Sequence, residues 1–416
     1  MEGARRPSGR RKPRGFLPRG FSLPALLWTL LACAALVAAA LLVVDRTTKI
    51  PPVASAPALQ TSLGAAGRAL TRDLEAAATG LIPPGEAVRS IADNFDGSRL
   101  FTTVFGQPTS VRPGTDILGL RGVLRAPVLR LEGGAPVEIG SPNAVPLRIS
   151  GAPGPRNEAL LTTAARLRAR DLAGPARRFF LVKDAAGLWA VARVTAFDAS
   201  GLEGCESTAG GAAARPCALG LTLDFTDPDA VAGNPGGNPG AASTLGPLVA
   251  AGLYDEIAFF VALGPAGRPP DYFVVNDPPS MANPRPFLAA AEAAGAGRWE
   301  VARVADDIEN LQVAFNLRKE DGAGVWVGDR PGSRAPADGR WSDAPGSPRL
   351  EAVRCALVAI GPRRSGGAAD FATALPFNAP PPGERSAPVG WASEARNRVA
   401  VARESRAVEV RFPASP

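Results

Sequence analysis

The run from residue 21 to 44, FSLPALLWTLLACAALVAAALLVV, holds 24 positions without a charge. As a helix rising 1.5 Å per residue it reaches about 36 Å, enough to cross a hydrocarbon core of about 30 Å. It is too long for an ordinary signal-peptide apolar region, and no small-residue cleavage site follows it directly. No second apolar run of spanning length occurs. Pro51, Pro52 and Pro57 interrupt the chain next, and a helix is expected over residues 58–78. There Leu59, Leu63, Ala66, Leu70, Leu74 and Ala77 recur at helical spacing, while Arg68, Arg72, Asp73 and Glu75 fall largely off that stripe. Gly80 and the Pro83-Pro84-Gly85 turn end it.

Beyond this turn the pattern is mainly extended. Strands are expected at 100–105, 117–120, 128–132, 179–183, 188–197, 219–225, 257–263, 272–276, 299–304, 325–328, 352–360 and 407–412. The last alternates plainly, with Val408, Val410 and Phe412 on one face and Glu409 and Arg411 on the other. Short helices are expected at 158–169 and 286–294. Stretches rich in Gly and Pro at 228–247, 329–348 and 377–390 read as exposed loops of one β-rich body, because strands resume on either side. No repeat of solenoid spacing is apparent.

Composition changes this picture in two ways. The 416 residues carry 46 Lys and Arg against 39 Asp and Glu, a net +7, and no histidine. Without histidine there is no Ser-His-Asp triad, Cys-His dyad, HExxH zinc site or histidine pH switch. The charge is also uneven. Residues 1–20 hold seven basic residues against Glu2, a net +6, which leaves about +1 for everything else. A basic chain would ordinarily point to nucleic acid or anionic lipid, but here the body is near neutral, and no nucleic-acid partner is expected. The basic cluster before the apolar run orients the N-terminus to the cytoplasm and the body to the far side of the membrane.

Gly20-Phe21-Ser22-Leu23 stands at the boundary between charged leader and apolar run. It resembles the signal of type IV prepilins, in which a prepilin peptidase cuts after the Gly and methylates the new N-terminal Phe. That resemblance implies cleavage between Gly20 and Phe21. One departure is Ala25, where the family usually carries Glu; a buried carboxylate is costly unless paired, so its loss removes both a cost and a docking contact. Further segments resemble the PilW-type minor pilins, type IV pilus assembly proteins: Arg72-Asp73-Leu74, the segment 179–197, Ala305-Asp306-Asp307-Ile308-Glu309-Asn310-Leu311-Gln312-Val313-Ala314-Phe315, the strand at 352–358 and the terminal strand at 406–412. After Phe315 the family usually has Gly and an acidic residue, whereas Asn316-Leu317-Arg318 stand here. Read physically, Asp306 caps a short helix at 307–311, with Ile308, Leu311 and Val313 in the core.

Of four cysteines, Cys33 lies in the apolar run and Cys355 in an apolar strand. Cys205 and Cys217 flank a Gly/Ala-rich loop; outside the cytoplasm they form a disulfide worth about 3 kcal/mol, the alternative being two unpaired thiols. No CxxC pair exists, and no metal centre is expected from the cysteines. Asp224, Asp227 and Asp229, like Asp93 and Asp96, offer oxygens to Ca²⁺, but solvated turns explain them equally and neither has EF-hand spacing. No phosphate loop or nucleophile elbow is present.

The expectation is therefore an α+β, pilin-like chain: a basic leader at 1–20, a transmembrane helix at 21–44, a Pro-interrupted linker and amphipathic helix at 45–80, and a large antiparallel β-rich head at 81–416. The resemblance implies a minor pilin of the bacterial inner membrane, single-pass with its head in the periplasm, that moves to a surface pilus, helps prime assembly and sits at or near the tip. Its partners would be other minor and major pilins, the prepilin peptidase, the inner-membrane assembly platform and, before assembly, membrane lipid. No enzymatic activity and no cofactor are expected. The alternatives are a type II secretion pseudopilin and a membrane-anchored periplasmic adhesin or binding protein.

Overall fold

The computed structural model describes residues 56–79, 81–92, 100–102, 108–112, 114–131, 136–138, 145–150, 155–172, 178–202, 217–226, 244–262, 286–295, 298–319, 322–328, 335, 339–341, 348–362 and 401–412. The chain divides into two compact units, Met1–Pro52 and Val53–Pro416, and all of these residues belong to the second. The expected membrane helix, the Gly20–Phe21 junction and Ala25 therefore lie outside the described residues.

Helix α1 (Ala56–Thr79) forms where the helical stripe predicts it. Leu59, Leu63, Ala66, Leu70, Leu74 and Ala77 are all buried, and Arg68, Arg72 and Glu75 are exposed. Asp73 departs from the expectation, since it is wholly buried. Two further helices are described, the single turn α2 (Pro84–Ala87), with Pro at its first position, and α3 (Pro155–Leu172).

Apart from a 3-10 turn at Ser200–Leu202, everything else that is regular among the described residues is antiparallel sheet. The first sheet runs in the order β15 (Arg298–Asp306), β14 (Phe287–Gly295), β13 (Asp255–Ala262), β4 (Ile117–Gly122), β1 (Val88–Ala92), β18 (Gly339–Arg340). The second runs β5 (Leu129–Arg130), β12 (Leu248–Leu253), β8 (Phe179–Asp184), β9 (Trp189–Asp198), β10 (Ala218–Asp224), β7 (Val145–Ser150). The third runs β17 (Gly324–Val327), β16 (Ile308–Arg318), β19 (Arg349–Pro362), β20 (Val401–Arg411). Two small pairs complete the set, β2 (Leu100–Thr102) with β3 (Pro108–Ser110), and β6 (Val137–Glu138) with β11 (Thr244–Leu245).

The α+β, pilin-like class is overturned. The described residues are mostly antiparallel sheet with three helices, and no helix among them is long and apolar enough to cross a membrane. The physical reason is where burial is accumulated. α1 gives one stripe to a core whose other walls are strands on both sides. Two segments expected to be helical are also strands. Phe287–Gly295 reads as helix because of its Ala and Glu content, but β14 lies between β13 and β15 and is buried on both faces, so packing overrides propensity. The short helix expected at 307–311 is instead the start of β16. Asp307 adopts φ 57°, a left-handed conformation that Asp tolerates, and turns the chain from the first sheet into the third.

Two main cores result. In the larger, α1 packs on β19 and β20 with β15 and β4 alongside. Its apolar stripe meets Leu118, Leu120, Ile257, Phe259 and Val261 of the first sheet and Leu311, Val313, Phe315, Val353 and Cys355 of the third. Gly67 lets β20 approach closely: a Cβ there would lie 3.3 Å from Val408 Cγ2. The second core lies between α3 and the second sheet, around Leu160, Leu167, Phe180, Ala192 and Leu221. On the outer face of the first sheet Phe101 stacks on Phe260 at 4.4 Å and meets Trp299 edge-on at 5.1 Å.

The connectivity explains the separation of cores. β4 and β13 are hydrogen-bonded neighbours, with Gly122 opposite Asp255. Residues 123–254 leave and re-enter the first sheet at that one pair, and between these points they form the whole second sheet and α3. They are an insertion with a core of its own, seated on the main body through Leu181, Trp189 and Val191.

Candidate functional site

Two buried polar clusters stand out, and both involve segments that the sequence marks. The first surrounds Asp73. Its carboxylate accepts from Arg72 Nε at 2.6 Å and from Arg125 at 3.4 Å. Arg125 also donates to Glu292 Oε2 at 3.0 Å. Arg170, near the end of α3, donates to Glu292 Oε1 at 2.8 Å, to the Tyr254 carbonyl at 3.1 Å and to Asp255. Asp255 Oδ2 accepts the backbone N–H groups of Leu124 and Arg125 at 3.2 and 3.0 Å. Carboxylates and guanidiniums thus alternate from α1 through the first crossover, β14 and α3 to the second crossover. Buried charges are tolerated only when paired in this way.

Beside it, Arg121 donates through Nε to the Glu86 carbonyl at 2.6 Å and stacks over Trp189 at 5.4 Å. Tyr254 lies in the same buried region. Burial, then the charge of Glu256, raises its phenol above the usual range.

The second cluster is built on the start of β16. A register shift against β19 makes Glu309 a bulge residue, which re-aims its side chain. Its carboxylate pairs with Arg112 at 3.0 Å, with both side chains almost fully buried. Asp116 takes the Val313 N–H at 2.6 Å and gives its own N–H to the Leu311 carbonyl at 2.9 Å. Gln312 donates to the Gly114 carbonyl at 3.0 Å. The stretch resembling the minor-pilin segment therefore fastens the 111–116 loop to the third sheet. Ile308, Leu311 and Val313 are buried, as their apolar character predicts, and Glu309, Asn310 and Gln312 are buried with them, which it does not. The apolar pattern gives no cue for a polar face that another loop covers.

Chemically these clusters hold structure. Each carboxylate described above engages a guanidinium or backbone N–H, and the charge of Asp116 acts with burial to keep the Cys355 thiol neutral. Among the described residues no group of three or more His, Cys, Asp or Glu side chains is placed to hold a metal ion. Of the calcium candidates, Asp224 accepts from the Thr226 N–H at 2.9 Å and its hydroxyl at 2.7 Å, a closed turn; Asp227 and Asp229 lie outside the described residues. Cys217 is buried at the head of β10, where its N–H donates to Asn157 Oδ1 at 3.3 Å, and Cys205 lies outside the described residues. Cys355 faces the main core, and burial pushes its thiol up to about 12.

No family model, curated protein or solved structure matches this chain.

Proposed function

We propose that this chain is a membrane-anchored assembly subunit, a minor pilin of a type IV pilus, processed between Gly20 and Phe21. The observation that carries the reading is the position of Gly20-Phe21-Ser22-Leu23, where a leader of net +6 meets 24 uncharged residues. The anchor is stored in the inner membrane with the body in the periplasm, and on assembly packing against other subunits replaces lipid. The proposal borrows no pilin fold, because the body is antiparallel sheet. What supports a binding role is the employment of the buried charges, which tie elements together and leave no activated nucleophile among the described residues. Ala25 in place of Glu fits a subunit with no neighbour ahead of it, at or near the tip.

The test is mass spectrometry of the mature N-terminus. A chain beginning at N-methylated Phe21 is the expected result; a membrane-bound form that keeps Met1 and the leader overturns the proposal. Co-purification then separates the two fibre systems: minor pilins are expected, and secretion-system pseudopilins alone would move the chain to the secretion apparatus.

A further inference from the structure

The insertion at 123–254 is joined to the main body by two chain crossovers, one after Gly122 and one before Asp255. Its seat has two parts of different character. One is apolar, where Leu181, Trp189 and Val191 meet the main core. The other is the ion cluster at the crossovers, which reaches Asp73 on α1, Glu292 on β14 and Arg170 on α3. An apolar contact shifts at a cost set by exposed area. An ion pair acts at one place, and the one that joins α1 to the first crossover is Asp73 with Arg125, at 3.4 Å. The charged part is therefore what ties the module's crossovers to α1 and β14.

We propose that this cluster is a clasp that couples α1 to the inserted module. Asp73 is wholly buried, and its partners are Arg72 beside it and Arg125 on the first crossover. Moving α1 along its axis takes Asp73 from Arg125. Arg125 shares Glu292 with Arg170, and its backbone N–H shares Asp255 Oδ2 with that of Leu124, so the loss reaches both crossovers. The module then loosens on its seat while the third sheet, which contributes no residue to the clasp, stays closed. Coupling is reciprocal: loosening the module from its own side must loosen α1. This inference stands on the geometry alone and does not depend on the pilus reading.

Hydrogen–deuterium exchange on the full-length protein tests it. In Asp73→Asn, which keeps the side-chain size, amides of β8, β9 and β12 are expected to exchange at least tenfold faster, with β16 and β19 unchanged. Acceleration confined to α1 and the strands it touches overturns the coupling, and so does a uniform rise through all three sheets. Arg170→Met provides the reciprocal arm. Arg170 has no contact with α1 in the clasp, yet amides in residues 66–77 are expected to exchange faster; unchanged exchange there overturns the proposal. Should Asp73→Asn fail to fold, this second variant decides alone.

Discussion

At the corner between β15 and β16, three consecutive residues do different physical work. Asp307 holds the left-handed backbone, Ile308 enters the core, and Glu309 bulges to reach Arg112. A β-branched residue in the left-handed region is strained, so Asp307→Val is expected to cost about 1–2 kcal/mol in urea unfolding. Glu309→Ala takes its carboxylate from the buried Arg112 guanidinium and is expected to cost about 3–5 kcal/mol, whereas Arg112→Met combined with Glu309→Leu recovers most of that loss. Additive losses in that cycle would show that the pair is not a unit. Gly252 is a different case: a Cβ there would lie 2.6 Å from Val123 Cγ2, so Gly252→Ala is expected to destabilise by overpacking, about 1–3 kcal/mol. Cys355 adds a pH dependence. Its folded value of about 12 lies above the ordinary 9.0. The neutral thiol is favoured in the fold, so this contribution is present below pH 9 and declines as the unfolded thiol ionises above it. Replacing Cys355 by Ala should flatten the alkaline side of the stability profile.

Among elements, α1 shows what the sequence makes legible. Leucines at a period near 3.6 give its buried face directly, and Leu70→Ala is expected to cost about 2–5 kcal/mol by thermal unfolding. The alternation in β20 is legible for the same kind of reason. On it, the hydrogen bond from Arg354 holds the Glu409 carboxyl below its ordinary value of 4.5, while partial burial opposes this. The pair's contribution is therefore present above that value and lost as the pH falls through the lower folded one. Carboxyl-carbon NMR should show Glu409 titrating late on acidification, and nearer its ordinary value in Arg354→Gln, where only the Arg411 hydrogen bond at 3.1 Å is left to hold it down. Other elements leave no local trace. β14 has Ala and Glu where a strand cue would be Val or Thr, because it needs small side chains on two buried faces at once. Asp73 looks like a surface charge on a helix until Arg125 is brought to it from 52 positions away. The candidate site was illegible for this reason: its members are joined by pairing between distant strands, and no window of sequence contains two of its crossovers.

For the whole molecule, the decisive feature is that Gly122 faces Asp255 while the second sheet and α3, formed between them, enclose a separate core. That arrangement carries a temporal consequence. A strand cannot zip to one so distant in sequence until the chain between has been gathered, since closing a long loop costs entropy before any contact repays it. The intervening segment has its own hydrophobic centre and a short hairpin, β8 with β9, on which to start, so it can collapse first and deliver the two ends side by side. The first sheet then closes from that pair outward, and synthesis order works in its favour, because residues 123–254 emerge before β13 does. Pulse-labelled refolding should find amides of β9 and β10 protected ahead of those of β4 and β13; the reverse order would mean that the main body organises the module.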